Sequence, residues 1–219
     1  MKSPTLEEIE VLENLSPEQR IVWAIKTFSK GLVLTTSFGI QSAIMLHMAT
    51  QYVPGIRVIF IDTGYLLPET YRFADELTKR LKLNVKIYQP LITSARQEAL
   101  YGRRWEMGSK EVEDYQFDTK IEPMERAIAE LNATAWLTGR RRGQSETREK
   151  LPILFLQKGV WKVNPIVDWS AKQVYEYLML HGLPYHPLWE KGYTTVGDWH
   201  ESAPGKKRRE CGIHQDYQI

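Results

Sequence analysis

Cys211, the only cysteine among 219 residues, stands in the C-terminal stretch KKRRECGIHQDYQI. A free thiol has a pKa near 8.5, so only about 3% is thiolate at pH 7, and neighbouring cations raise that fraction. Lys206, Lys207, Arg208, Arg209 and His214 supply cations, with Glu210 opposing them. Structural cysteines are ordinarily small buried hydrophobes, which a charged, glycine-bearing terminus explains poorly. Cys211 therefore reads as a reactive nucleophile. A single cysteine also excludes an internal disulfide, a cysteine-rich zinc site and a four-thiolate iron–sulfur cluster within one chain. No metal site is expected.

Three other segments carry residue types suited to anion chemistry. In TTSFGIQS (35–42), small residues turn a strand into a helix, where backbone N–H groups and the helix dipole can hold an oxyanion. On spacing alone, a plain strand-to-helix turn explains the segment equally well. In IDTG (61–64), Asp62 leaves a strand, and a lone Asp there is most simply a turn or helix cap. In LTGRRRGQSETR (137–148), Arg140, Arg141 and Arg142 stand between Gly139 and Gly143, with Gln144 and Ser145 following. Guanidinium forks match phosphate and sulfate oxygens. The competing reading, a solvated charge run, suits lysine-rich stretches better.

These segments need a scaffold that presents loops together. LSPEQRIVWAIKTFSK has Ser16 as N-cap, Pro17 at the first helical position and Gln19 closing a capping box. GLVLTTS, IRVIFIDTG, NVKIYQP and TAWLTG are short apolar runs that read as buried parallel strands. Helical stretches IQSAIMLHMATQY, PETYRFADELTKRLKL and EPMERAIAELN separate them. Strand and helix alternate over residues 31–139, which predicts an α/β class with a mainly parallel, doubly wound sheet. In such sheets ligands sit beyond the C-terminal strand ends, where the three anion segments fall. ILFLQKGVWKVNPI reads as a hairpin or strand pair around Lys158 and Gly159. DWSAKQVYEYLMLHG reads as a helix capped by Ser170 and Gln173 and stopped by Gly182. From about Leu183 onward, loops and a tail are expected, giving one domain over 1–200 and a tail over 201–219.

Composition sets the remaining bounds. Hydrophobic residues at 42% and charged residues at 26% describe a foldable globular chain, and a net charge of +2 does not mark a nucleic-acid binder. MKSPTLEEIEVLENLSPEQR has acidic residues where a signal peptide needs an apolar core, and no run approaches a membrane span. A cytoplasmic protein in a reducing compartment, without membrane contact, is expected.

In order, SFGIQ, DTGYLLPETYRFADELT, KIEPMERA, TGRRRGQS, KVNPIVDW, LPYHPLWEKGYTTVGDWH and ECGIH resemble segments of the phosphoadenosine phosphosulfate reductase family, from roughly Ser16 to His214. The resemblance implies an adenine-nucleotide α-hydrolase-like fold with a flexible C-terminal catalytic tail. Related ATP pyrophosphatases use SGGxDS; here SFGIQS has Phe38 for a glycine and Gln41 for the aspartate, as suits holding a phosphosulfate without splitting ATP.

The resemblance also implies roles. Ser37, Phe38, Gly39, Ile40, Gln41 and Ser42 become the phosphosulfate loop, and Asp62, Thr63 and Gly64 nucleotide contacts. Gly139, Arg140, Arg141, Arg142, Gln144 and Ser145 become the anion-binding segment. Lys206 to Arg209, Glu210, His214 and His200 are supporting residues. Cys211 would attack the sulfur of 3′-phosphoadenylyl sulfate, and reduced thioredoxin or glutaredoxin would release sulfite. A homodimer with no tightly bound cofactor is implied.

Iron–sulfur adenylyl-sulfate reductases of the family carry CC and CxxC, which this chain lacks. Cluster-free adenylyl-sulfate reductases keep the unphosphorylated substrate as an alternative, and a non-catalytic nucleotide- or RNA-binding protein is the alternative of another class. Between GDWH and ECGIH the chain has only ESAPGKKRR, shorter than its relatives' segment, so that Lys206 to Arg209 would take over its work. Trp199 is a further departure from the family pattern.

Overall fold

The computed structural model describes residues 4–205. The expectations placed on Lys206 to Arg209, Glu210, Cys211 and His214 lie outside the described residues. The boundary expected between 200 and 201 falls inside a short 3-10 turn, Trp199–Glu201.

Two helices, α1 (Leu6–Glu13) and α2 (Pro17–Phe28), precede the sheet. The start of α2 is dictated locally. Ser16 Oγ accepts from the Gln19 N–H at 3.3 Å, and Gln19 Oε1 accepts from the Ser16 N–H at 2.9 Å. Pro17 then occupies a position that needs no donor. The chain continues through β1 (Leu32–Thr36), α3 (Ala43–Tyr52), β2 (Arg57–Ile61), α4 (Pro68–Leu81) and β3 (Asn84–Tyr88). After α5 (Ser94–Tyr101), α6 (Ser109–Gln116) and α7 (Glu122–Glu130) come β4 (Ala135–Leu137), β5 (Leu154–Gln157), β6 (Val160–Val163) and α8 (Ala171–Leu180).

The strands form one sheet in the order β3-β2-β1-β4-β6-β5, parallel except for the edge strand β5. The β5–β6 hairpin turns at Lys158 and Gly159, whose φ values of 49° and 78° are those a two-residue primed turn requires. From β1 the chain proceeds outward to β2 and β3; from β4 it proceeds the other way. The order therefore reverses between β1 and β4, and their outgoing loops diverge to leave a crevice.

Period-two alternation along the strands serves two layers of helix. Leu32, Leu34, Val58 and Phe60 pack with α2, α3, α4 and α8 on one face, while Val33, Ile59 and Trp136 meet Met124 and Ala127 of α7 on the other. This is the doubly wound arrangement that the alternating runs predict. Among the described residues, no helix is long and apolar enough to cross a membrane.

One expectation needs correction. Between β3 and β4 the sequence reading places only the helix at 122–132, but α5 and α6 also lie there, and α6 runs into α7 through a π-helical turn, Phe117–Ile121. Pro123 explains the widened turn, because it has no N–H to donate and its ring would crowd the carbonyl four residues back. From Leu183 to Gly205 the chain is irregular, as expected, and Leu183, His186, Leu188 and Asp198 within it are buried.

Arg20 ties the first two helices to the sheet. Its Nε donates to Leu12 O at 2.9 Å, Nη1 to Pro165 O and Asp168 Oδ1 at 2.8 Å each, and Nη2 to Glu13 O at 3.1 Å and Asp168 Oδ2 at 2.8 Å. A side chain only 1% exposed thus has every N–H direction satisfied.

Candidate active site

The loop 37–42 leaves β1 at the switch point. Phe38 takes φ +46° and turns its ring into the core, edge-on to Phe60 at 4.9 Å between centroids. That anchor fixes the backbone around it. The Phe38 N–H donates to Thr36 Oγ1 and the Ser42 N–H to Gly39 O, whereas the N–H groups of Gly39, Ile40 and Gln41 find no acceptor among the described residues. Ser42 Oγ is buried without a hydrogen-bond partner among them. With α3 following directly, these donors and the helix dipole suit a multiply charged oxyanion.

The loop leaving β4 meets the first one from the side. Gly139 packs closely there, since a Cβ would come within 3.1 Å of Met45 Cγ on α3 and the methionine would have to shift by a few tenths of an ångström. Arg140 and Arg141 are both buried, at 5% and 6% exposure. Arg141 Nη2 donates to Gln41 Oε1 at 2.6 Å, joining segments 100 residues apart, and Nη1 donates to Trp169 O at 3.2 Å. Burial pushes the Arg141 guanidinium below its ordinary pKa, but an arginine remains a cation. Among the described residues its hydrogen bonds reach only neutral oxygens. A buried cation beside unengaged amide donors is matched by an anionic ligand.

The third arginine does not join this pair. Arg142 Nε donates to Leu151 O at 2.8 Å and its Nη2 pairs with Glu13 at 3.0 Å, which directs it toward α1. Gln144 Oε1 accepts from the Arg141 N–H at 3.1 Å and from the Arg148 guanidinium, so it braces the loop. Ser145 Oγ lies 2.9 Å from Thr147 Oγ1. Sequence position groups Gly139, Arg140, Arg141, Arg142, Gln144 and Ser145 as one anion segment; the fold sends the side chains of Arg141, Arg142 and Ser145 to different partners. Phe38 and Ile40 likewise contribute backbone only, because both side chains are buried.

At the end of β2, the Asp62 carboxylate behaves as a turn cap. Oδ1 accepts from the Gly64 N–H at 3.0 Å and from Tyr71 OH at 2.7 Å, and Oδ2 accepts from Gln89 Nε2 at 2.8 Å. Gly64, with φ +76°, is exposed beside it. The Thr63 hydroxyl points inward and donates to Asp198 Oδ1.

His186 stiffens the loop 37–42 from behind. Its backbone N–H donates to Ile40 O at 3.0 Å. Its ring, 1% exposed, accepts the Leu188 N–H at Nδ1, leaving Nε2 to donate to Thr70 Oγ1 at 3.1 Å. Burial, opposed weakly by Glu69, pushes its pKa down to about 4. Between that value and the ordinary 6.5 the unfolded chain binds a proton that the native ring does not, so stability falls with pH. Denaturant titrations should show this ring contributing a loss of about 2 kcal/mol between pH 6.5 and 5, and His186→Gln should flatten the slope correspondingly.

One cluster centres on Asp198, Tyr115 and Lys120, which the sequence does not single out, and it takes in Thr63 and His200, which it does. Asp198, 1% exposed, receives hydrogen bonds from Thr63 Oγ1 and Tyr115 OH, the latter at 2.8 Å, and pairs with Lys120 Nζ at 2.8 Å. Burial alone would raise its pKa; the Lys120 charge and the hydrogen bonds from Lys120, Thr63 and Tyr115 outweigh that and hold it below the ordinary value. Lys120 Nζ also reaches Glu201 Oε2 at 3.0 Å. His200 stacks on Trp105 at 4.0 Å and 9°, with Tyr65 and Tyr115 edge-on to it. Asp198 and Tyr115 are 83 residues apart, and each resembles an ordinary surface residue in its own segment. No local pattern could have joined them.

A family model for the phosphoadenosine phosphosulfate reductase domain matches residues 31–204. The phosphoadenosine 5′-phosphosulfate reductase of Synechococcus sp. is 52% identical over 228 residues, covering 96% of this chain and 97% of that one. Its counterpart from Cronobacter sakazakii is 50% identical over 216 residues, covering 93% and 88%. Among solved structures, a phosphoadenylyl-sulfate reductase from Candida auris in a phosphate complex superposes with a TM-score of 0.79 at 31% identity, covering 92% of this chain and 99% of that one.

Proposed function

The chain belongs to the phosphoadenosine phosphosulfate reductase family, and from that premise we propose that it reduces 3′-phosphoadenylyl sulfate to sulfite and adenosine 3′,5′-bisphosphate, as an oxidoreductase of sulfate assimilation. The observation that carries the reading at the site is Arg141, a buried cation bonded to Gln41 at the edge of a loop whose amide donors are unengaged among the described residues.

In this reading the N–H groups of Gly39 to Gln41, Ser42 Oγ, Arg140 and Arg141 receive the phosphosulfate. Gly64, at the end of the neighbouring strand, receives the nucleoside. The Cys211 thiolate attacks the sulfonate sulfur; an S–S bond forms, the S–O bond to the phosphate breaks, and adenosine 3′,5′-bisphosphate leaves with that electron pair. Donors fixed before the reaction stabilise the charge that develops on the leaving group. A thiolate of a reduced dithiol protein, thioredoxin or glutaredoxin, then attacks Sγ of the S-sulfocysteine. Sulfite leaves with the S–S electron pair, and the donor's second thiol closes a disulfide and regenerates Cys211. The dithiol is oxidised by two electrons and the sulfonate sulfur reduced by two.

A chain with one cysteine cannot bind a four-thiolate cluster by itself, so the reading involves no iron–sulfur centre. It extends to a cytoplasmic homodimer, with no membrane or nucleic-acid partner. Sulfite release measured with thioredoxin present should be faster from 3′-phosphoadenylyl sulfate than from adenylyl sulfate. A preference for the unphosphorylated nucleotide would assign the chain to the sister activity, and tight binding of either nucleotide without turnover would make it a binding protein.

A further inference from the structure

The Asp198 cluster is an expensive thing to build. A buried ion pair is rarely more stable than well-packed apolar residues of the same volume, so its value here is sought in what it positions. Its members come from three places: Thr63 follows β2 at the nucleotide end of the sheet, Tyr115 lies in the last turn of α6, and Lys120 lies in the π-helical turn. π-turns inside helices are frequent at functional sites. Around Asp198 the backbone is fastened as well. The Trp199 N–H donates to Tyr65 O at 2.7 Å, Leu66 and Asp198 form an antiparallel bridge, and Ser202 Oγ links Gly197 N to Asp198 O at 2.9 Å each. The Gly205 N–H then donates to Gly192 O at 3.0 Å.

Among the described residues, the last of these contacts is at Gly205, six residues before Cys211. Six residues span at most about 20 Å fully extended, so the place where Gly205 is held bounds where the thiol can reach.

We propose that Asp198 is a positioning residue: with Thr63, Tyr115 and Lys120 it locks the root of the cysteine-bearing segment to the nucleotide end of β2, and so sets where Cys211 meets the sulfonate. The inference rests on the function proposed above. Asp198 touches no reacting atom. It acts through Thr63 on the nucleotide side and through the backbone of 197–202 on the thiol side.

Asp198→Asn keeps the volume but places an amide against the Lys120 ammonium, and Tyr115→Phe removes one hydrogen bond while leaving the ion pair. Three quantities separate positioning from folding. Single-turnover sulfonation of Cys211 by 3′-phosphoadenylyl sulfate, without reductant, should slow by roughly 10- to 100-fold in Asp198→Asn and by a smaller factor in Tyr115→Phe, since a displacement near 1 Å can cost about 100-fold. The affinity for adenosine 3′,5′-bisphosphate should stay unchanged, and so should alkylation of Cys211 by iodoacetamide.

Wild-type transfer rates in both variants would overturn the proposal. So would a loss explained wholly by weaker nucleotide binding, or alkylation falling in parallel, which would assign thiol activation instead. If Asp198→Asn fails to fold, Tyr115→Phe alone decides by the same criteria. Absence of transfer in the wild-type protein would defeat the functional reading itself and this inference with it, whereas transfer in the wild type and equally in the variants defeats only the inference.

Discussion

Cys211→Ser is expected to abolish sulfite formation, with a loss on the order of 10⁴-fold or more, as for removal of a covalent nucleophile elsewhere. The reason lies in electron balance as much as in nucleophilicity. A serine hydroxyl is almost wholly protonated at pH 7, and even a successful attack would leave a sulfate ester. Thiol attack on that ester could not expel sulfite, because the oxygen–sulfur bond holds no sulfur–sulfur electron pair to release. Binding of adenosine 3′,5′-bisphosphate should persist, since Arg141, Ser42 and the amides of 39–41 belong to loops whose contacts with other described residues do not involve Cys211. Isothermal titration with that nucleotide and a sulfite assay on the same preparation check both halves. Residual sulfite production by the variant would show that another group carries the chemistry.

Arg20→Ala should be the most damaging single change to stability among the groups described. It orphans the carbonyls of Leu12, Glu13 and Pro165 together with the Asp168 carboxylate, all held by a side chain 1% exposed. Breaking a buried pair by removing one partner costs about 3–5 kcal/mol. Asp168 is 41% exposed and can recover water, so a value near the lower end, about 3 kcal/mol, is expected. For a chain of this size that is a fall in Tm of roughly 6–12 °C. Asp168→Asn should cost much less. Burial raises the Asp168 pKa, but the Arg20 hydrogen bonds and charge outweigh it and bring the value below the ordinary one. The stability from this pair is therefore present above the ordinary carboxylate pKa and lost as pH falls through the folded value. A shift of a degree or two for Arg20→Ala would mean that α1 and the 165–168 segment are not held by this side chain.

Where the determining physics is local, the fold is legible in the sequence. The β1, β2, β3 and β4 runs, the Ser16 and Ser170 capping boxes and the Lys158–Gly159 turn depend on neighbours within a few residues. So does the approach of loops 37–42 and 138–142, because parallel strands with a reversal must bring those ends together. Side-chain direction was not legible. Three consecutive arginines look alike in sequence, yet Arg141 turns to Gln41 and Arg142 to Glu13, a choice made by partners 100 and 129 residues away. Phe38 looked like a loop residue until the core claimed its ring. Asp198 was invisible for the same reason: its partners come from three separate elements, and burial turned an unremarkable Asp into the centre of a charged cluster.

The central claim is that the lone thiol takes the sulfonate onto itself. Incubation with 3′-phosphoadenylyl sulfate and no reductant, followed by intact and peptide mass measurement, should find one sulfonate per chain, located on Cys211 and removed by reduced thioredoxin. An unmodified chain, in a preparation that forms sulfite once thioredoxin is added, would contradict it.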